Sequence, residues 1–154
     1  MTEEKNIVIN RKARHEYDIV DSLEAGIVLA GSEVKSMRAG RANLSDAYAR
    51  VVRGEVWLSG MHISPYKEAT DQNHDPLRER KLLLHSSEIK KLTRRVEEKG
   101  FTLIPLRLYF KNNRVKVELG LARGKRQYDK KHAIAQRDAK RDMEREQKKF
   151  KFKL

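Results

Sequence analysis

Short runs of alternating apolar and polar residues dominate the chain before residue 123, and such runs are typical of half-buried β-strands. The clearest two, 104–110 and 115–121, are joined by Asn112-Asn113, which predicts a β-hairpin. Pro105 lies on the opposite face from the apolar residues of its run and is tolerated at a sheet edge or a bulge. The expected core residues are Ile104, Leu106, Leu108 and Phe110 on one strand and Val115, Val117, Leu119 and Leu121 on the other.

Other apolar runs predict further strands. Residues 17–23 carry apolar side chains at alternating positions, Ala25-Gly26 has the composition of a turn, and residues 27–30 are apolar again. We therefore expect a strand that returns as a hairpin at Ala25-Gly26. The remaining segments with strand character are 7–9, which lead into a basic cluster at 10–15, then 45–51, 56–58 after a turn at Arg53-Gly54, and 81–84.

Two segments carry the end signals of helices. Ser32 is a favoured N-cap and Gly40 a favoured stop, so a short helix is expected between them. Ser86 or Ser87 caps a second helix, which ends at Gly100. The apolar positions expected to face the core are Val34 and Met37 in the first helix and Ile89, Leu92 and Val96 in the second.

The order of these elements favours a barrel. Segment 64–80 has two prolines and almost no large apolar side chains, so we expect an exposed loop. Consecutive hairpins with one long helix between strands favour an antiparallel barrel over βαβ units. We predict a mostly-β protein, a small antiparallel barrel of the oligonucleotide-binding type with one or two flanking helices. Its parts are a disordered N-terminus at 1–6, the barrel at 7–122 and a basic C-terminal tail at 123–154.

Positive charge is concentrated in that tail. From Arg123 onward, thirteen Lys and Arg oppose five Asp and Glu, a net +8 of the chain's +13. Because this segment has few apolar residues to bury, we expect it to be disordered alone and helical against a polyanion. The ring of Tyr128 lies among its cations and can stack on a base. Nucleic acid is therefore favoured over a membrane surface, for which the tail has too few large apolar residues.

No motif for catalysis, metal or cofactor binding stands out. The absence of cysteine excludes disulfides, thiolate zinc sites and a cysteine nucleophile. The five histidines lack metal-site spacing, and residues 120–126 lack the spacing and the hydroxyl residue of a phosphate-binding loop. We expect no enzymatic activity, no metal and no cofactor. The alternative is a nuclease or RNA-modifying enzyme, because carboxylates that are distant in the sequence can converge in the fold. The polar start resembles no secretion signal, so we expect a cytoplasmic protein.

Three blocks of sequence go beyond composition. They are 10–17 together with 24–26, then 31–40, and finally 80–85 joined to 120–131. In this order the combination resembles the SsrA-binding protein (small protein B) family of bacterial trans-translation. The resemblance implies an oligonucleotide-binding-type (OB-fold) barrel without enzymatic activity. It also implies an adaptor that binds the tRNA-like domain of transfer-messenger RNA (SsrA) and delivers it to stalled ribosomes.

The resemblance implies a first set of site residues on the barrel. Its cations would position phosphates, His15 would contact a base, and Glu24 would accept from a base amino group or orient an arginine. On residue type alone, Leu83 is more simply a core side chain, and Glu24 is equally well an ordinary surface carboxylate. This RNA-binding set is Arg11, Lys12, Arg14, His15, Glu24, Lys35, Arg38 and Leu83.

A second set lies in the tail, which in the family occupies the empty mRNA channel near the small-subunit decoding centre. Asp129-Lys130-Lys131 matches the family's Asp-Lys-Arg block with Lys in place of Arg, so the charge is kept but the bidentate fork is lost. The implied partners are transfer-messenger RNA and the stalled ribosome, bound by a monomer. The main alternative is a translation factor or ribosomal protein that binds the ribosome directly. The ribosome-binding set is Arg123, Gly124, Lys125, Arg126, Tyr128, Asp129, Lys130 and Lys131.

Overall fold

The computed structural model describes residues 4–68 and 73–124, and within them the chain forms nine β-strands and three α-helices. The predicted mostly-β class is confirmed. The elements are β1 (Glu4–Ile9), α1 (Arg11–Glu16), β2 (Tyr17–Ile27), α2 (Gly31–Arg38), β3 (Ala42–Asn43), β4 (Tyr48–Val52), β5 (Glu55–Ser59), β6 (His62–Ile63), β7 (Arg80–Leu83), α3 (Ser86–Lys99), β8 (Thr102–Lys111) and β9 (Arg114–Gly124).

Six of the strands form a circuit that closes on itself. The main sheet has the order β1-β8-β4-β5-β7-β2-β9, and β9 also pairs with β8. Strand β9 follows one edge of β8, while β4 and β1 share the other edge, β4 at Leu103 and β1 at residues 107–111. The β1–β8, β2–β7, β4–β5, β5–β7 and β8–β9 pairings are antiparallel. This closed circuit has the connectivity of a small antiparallel barrel, with β1 as an added strand and β3 and β6 as a separate pair.

Both predicted helices are present and cover the apolar interior. Helix α2 begins at Gly31 with Ala30 at its N-cap, two residues before the expected cap at Ser32, and Gly40 follows the helix with a φ of 71°. Helix α3 is capped by His85 and ends at Gly100, whose left-handed backbone donates its N–H to Val96. The fully buried side chains of the interior include Met37, Leu58, Ile63, Leu82, Leu108, Val117 and Leu119, and Ile89, Leu92 and Val96 of α3 pack against them.

A β-bulge in β8 changes which residues face the interior. The register between β8 and β9 shifts between Pro105 and Arg107, as the position of the proline predicted. Ile104 and Leu106, however, do not join the main core, because they pack outside it against Ala13 and Ala122. Placing all four apolar residues of β8 on one face was therefore wrong, since the extra residue of a bulge reverses the alternation.

Two other predictions fail in the first part of the chain. No hairpin forms at Ala25-Gly26, because β2 continues to Ile27 and Gly26 pairs with Leu83 of β7. A Cβ at Gly26 would lie 3.2 Å from the Leu83 Cβ, so the glycine serves a close approach of two strands rather than a turn. In addition, β1 begins at Glu4, three residues before the apolar run, so residues 4–6 are not part of a disordered terminus.

The described parts of segment 64–80 are mostly exposed, as expected, but the segment ends in a buried ion cluster. The side chains of Glu33 and Arg80 are both fully buried, and Arg78 and Arg80 each donate a hydrogen bond to the Glu33 carboxylate. Arg80 also donates to the Met61 carbonyl at 2.8 Å. The cluster ties α2 to the start of β7, which the polar composition of the loop does not reveal.

A candidate RNA interface

Helix α1 presents the basic residues that precede β2. Asn10, which is 4% exposed, accepts from the Ala13 N–H at 3.2 Å and donates to the Pro105 and Leu44 carbonyls at 2.9 and 3.2 Å. Ala13 is buried under the helix. The side chains around Ala13 consequently point outward, and Arg11, Lys12, Arg14 and His15 are all exposed. The sequence pattern predicted a basic cluster ahead of a strand and no helix. The capping role of Asn10 was not predicted, although Asn is a favoured N-cap.

The cations of α1 are only loosely paired. Lys12 lies 3.5 Å from Asp46 and Arg14 lies 4.0 Å from Glu118, and the two basic side chains remain 48% and 61% exposed. Ion pairs this exposed contribute little and are screened by salt. Phosphate oxygens can therefore replace these carboxylates at small cost.

Glu24, on the outer face of β2, is held in one orientation. The Tyr109 hydroxyl donates to its Oε2 at 2.5 Å, and Lys111 Nζ lies 3.1 Å from the same oxygen. The hydrogen bond from Tyr109, aided by Lys111, lowers the pKa of Glu24. Glu24 is thus an ionised acceptor, 35% exposed and held by two donors, rather than an ordinary surface carboxylate.

Tyr109 is itself fixed from the other side. It is 2% exposed, and the Arg107 guanidinium lies over its ring at 3.9 Å from the centroid. Burial and the hydrogen bond to Glu24 raise the pKa of Tyr109, so its hydroxyl stays a donor. Arg107 Nε in turn lies 3.7 Å from Glu118, the residue that faces Arg14. A chain of polar contacts therefore runs from α1 to Glu24, and no sequence pattern predicted the buried tyrosine within it.

Leu83 is exposed, and its interpretation as a core residue was wrong. It is 51% exposed and pairs with Gly26, two residues along β2 from Glu24. Because alternate residues of a strand share a face, and Ala25 is buried inside, Glu24 and Leu83 lie on the same outer face. Because Gly26 has no side chain, the exposed Leu83 forms an apolar surface next to the oriented carboxylate of Glu24.

Lys35 and Arg38 lie on α2 and form a second basic site. Both are exposed, whereas Ser36 and Met37 between them are buried. The Lys35 ammonium lies 5.4 Å from the centroid of the Tyr66 ring, a weak cation–π contact. Arg38 lines a groove formed with β1 and the turn between β8 and β9. The eight predicted residues thus divide between an α1–β2–β7 surface and α2.

Only the start of the predicted tail site can be placed. Arg123 and Gly124 end β9, and the Arg123 guanidinium lies 5.1 Å from the centroid of the Phe101 ring. The remaining tail predictions, Lys125, Arg126, Tyr128, Asp129, Lys130 and Lys131, lie outside the described residues.

The described part of the chain has neither a metal-binding cluster nor a membrane-spanning helix. Residues 4–68 and 73–124 contain no group of three or more His, Asp or Glu side chains able to hold a metal ion. None of the three helices described there is long and apolar enough to cross a membrane.

Comparison with known proteins decides the family. The model of the SmpB protein family matches residues 7–149. The chain belongs to the SmpB family. The resemblance inferred from the three sequence blocks is therefore confirmed.

Relatives of the SmpB family match along almost their whole length. The SsrA-binding protein of Acetivibrio thermocellus is 58% identical over 144 residues, which cover 93% of this chain and 94% of the relative. That of Symbiobacterium thermophilum is 62% identical over 137 residues, covering 88% and 87%. A chain from the solved structure described as "tmRNA-SmpB: a journey to the center of the bacterial ribosome" has a TM-score of 0.65 and 50% identity, covering 77% of this chain and 83% of that one.

Proposed function

We propose that this protein is an RNA-binding adaptor of trans-translation. Its barrel binds the tRNA-like domain of transfer-messenger RNA and delivers that RNA to stalled ribosomes in the cytoplasm. One observation carries the proposal: the eight residues that the family resemblance assigns to RNA are all exposed, and Glu24 among them is an oriented acceptor. The names of its SsrA-binding relatives agree with this function.

The α1–β2–β7 surface supplies three kinds of contact. The α1 cations neutralise phosphates and set the position of the RNA, which is the usual division of labour at such interfaces. Glu24 accepts a hydrogen bond from an exposed base edge, and Leu83 packs against a base or sugar that has left its stack. Because two donors already hold Glu24, little side-chain freedom is lost on binding.

The tail has a separate role in this proposal. Residues 123–154 fold as a helix in the empty mRNA channel, where Tyr128 stacks on decoding-centre RNA and the Asp129-Lys130-Lys131 block contacts its backbone. The net +8 of the segment suits a channel lined by phosphates. The protein acts as a monomer, without a cofactor and without a catalytic step of its own.

A titration separates the two roles. Full-length protein and a form truncated after Arg123 are titrated with transfer-messenger RNA and with an unrelated structured RNA of equal length. Peptide tagging on stalled ribosomes is then measured for both forms. We expect truncation to leave tight, selective RNA binding intact and to abolish tagging.

Other results would contradict the proposal. Loss of RNA binding on truncation, or equal affinity for both RNAs, would make the tail a general electrostatic clamp. Equal affinity for ribosomes with and without transfer-messenger RNA would favour the alternative, a factor that binds the ribosome directly.

A further inference from the structure

A groove among the described residues does not include Glu24 or Leu83 in its lining. It encloses about 870 Å³ between β1, the end of α2 and the turn between β8 and β9. That volume is within the range of about 300–1,000 Å³ typical of small-ligand sites. Among its lining residues are Lys5, Ile7, Arg38, Gly40, Phe110, Asn112 and Asn113.

Four exposed polar side chains of this groove have no partner among the described residues. Within the described part of the chain, Lys5 and Arg38 have no carboxylate partner, and the side-chain amides of Asn112 and Asn113 have no hydrogen-bond partner. Most other basic side chains on this side are engaged, since Lys111 faces Glu24 and Arg107 faces Glu4. The groove therefore offers two cations and two amides to something outside the protein.

A β-bulge in β1 shapes the apolar floor of the groove. The register of β1 against β8 shifts between Asn6 and Val8, which leaves Ile7 as the extra residue of a β-bulge. Bulges re-aim side chains, and Ile7 lines the groove together with Phe110. Neither side chain is fully buried, so the floor is an apolar surface open to a flat ligand.

We propose that this groove binds one unstacked nucleotide of the RNA partner. Lys5 and Arg38 hold its phosphate, Ile7 and Phe110 contact its base, and the asparagine amides bond to the base edge, as amides do at adenine. This inference rests on the proposed function. In the proposed function, Arg38 contacts only a phosphate. The groove adds a subsite in which the protein also contacts a base.

The test uses adenosine 5′-monophosphate as a probe and ribose 5-phosphate as its phosphate-only comparison. Nuclear magnetic resonance of the full chain follows the side-chain amides of Asn112 and Asn113 and the backbone amide of Gly40. We expect all three to shift with the nucleotide and to respond at least about tenfold more weakly to ribose 5-phosphate. Equal responses to the two probes would overturn the base contact.

The variants separate this site from general charge attraction. Arg38→Ala is expected to weaken nucleotide binding about tenfold, the effect of losing a charge-assisted hydrogen bond. Asn113→Gly removes an amide but suits the left-handed backbone there, where φ is 64°, so the turn is retained. The matched control is Lys90→Ala on α3, which removes an exposed cation that has no partner within residues 4–68 and 73–124. An equal loss in the Lys90 variant would overturn the proposal.

The position of the control makes it informative. Lys90 is not among the residues that line the groove, whereas Arg38 is. Lys90→Ala therefore lowers the total charge by one, as Arg38→Ala does, but removes nothing from the groove.

A last arm asks whether the RNA itself fills the groove. Saturating the protein with the tRNA-like domain of transfer-messenger RNA should abolish the response to adenosine 5′-monophosphate. The substitutions Arg38→Ala and Asn113→Gly should each lower the affinity of the protein for that RNA. If the RNA binds and the nucleotide still enters, the groove belongs to free nucleotides and this inference fails while the proposed function stands. If the unaltered protein does not select this RNA, both fail.

Discussion

At the scale of single residues, the Tyr109 hydroxyl sets the orientation of Glu24. Tyr109→Phe removes that hydrogen bond and leaves the ring under Arg107. Because the bond lowers the pKa of Glu24, we expect this pKa to rise toward its ordinary value of 4.5 in the variant. RNA affinity should fall about tenfold, since hydrogen bonds to charged groups contribute about 1.5–3 kcal/mol. Carboxyl titration by nuclear magnetic resonance and an RNA titration measure both effects.

Tyr48→Phe is the matched control for this hydroxyl. Tyr48 is 46% exposed and has no hydrogen-bond partner among the described residues, so its variant should leave the pKa of Glu24 and RNA binding unchanged. Combined with Glu24→Gln, Tyr109→Phe should add little further loss of affinity, because both act on one contact. Additive losses would show that Tyr109 contributes only packing.

Residue type alone could not show that Leu83 is exposed or that Tyr109 holds Glu24. Leu82, Leu83 and Leu84 follow one another, and three consecutive leucines do not reveal which of them face the interior. The pairing of Leu83 with Gly26 decides it. The partner of Glu24 was equally hidden, since Tyr109 lies 85 residues further along the chain. The exposed cations were predictable because charged side chains seldom lie buried without partners.

At the scale of elements, alternation predicted the last hairpin and most strands, but not where the alternation reverses. The bulge at Pro105 sends Ile104 and Leu106 outward, and there they form the apolar seat on which Ala13 of α1 packs. Helix α1 is only six residues long and was missed because its apolar anchor is a single alanine. A short helix of this kind depends on tertiary packing rather than on its own propensity.

Glu33 should stabilise the junction of α2 and β7 in a pH-dependent way. Burial raises its pKa, but hydrogen bonds from Arg78, the Ala30 N–H and Arg80 outweigh this, so the pKa lies below the ordinary 4.5. A carboxyl with a depressed folded pKa contributes stability that is full above its unfolded pKa. We expect urea unfolding to show this contribution lost as the pH falls below 4.5 through the folded pKa.

Glu33→Gln tests the same cluster at neutral pH. It leaves Arg80 buried without its counter-charge, and breaking one side of a buried ion pair costs about 3–5 kcal/mol of unfolding free energy. Its stability should also no longer fall in the pH range assigned to Glu33. The comparison variant is Glu79→Gln, whose pair with Arg50 is about half exposed and contributes at most about 1 kcal/mol. Similar losses in the two variants would mean that burial of Glu33 has no energetic consequence.

At the scale of the whole molecule, charge divides unequally between barrel and tail, and salt dependence can tell which of them holds the RNA. If the five barrel cations Arg11, Lys12, Arg14, Lys35 and Arg38 each neutralise one phosphate, the logarithm of affinity should fall against the logarithm of salt with a slope of about −3.5 to −4.5.

The slope should be the same for full-length protein and for the form truncated after Arg123, because the proposed function assigns the tail to the ribosome and not to this RNA. Arg11→Ala should make it shallower by about one, whereas Lys90→Ala should not change it. A full-length slope steeper by several units would place the twelve Lys and Arg that follow Arg123 on the same RNA. The two roles would then be one, because a tail already bound to transfer-messenger RNA is not free to enter an mRNA channel.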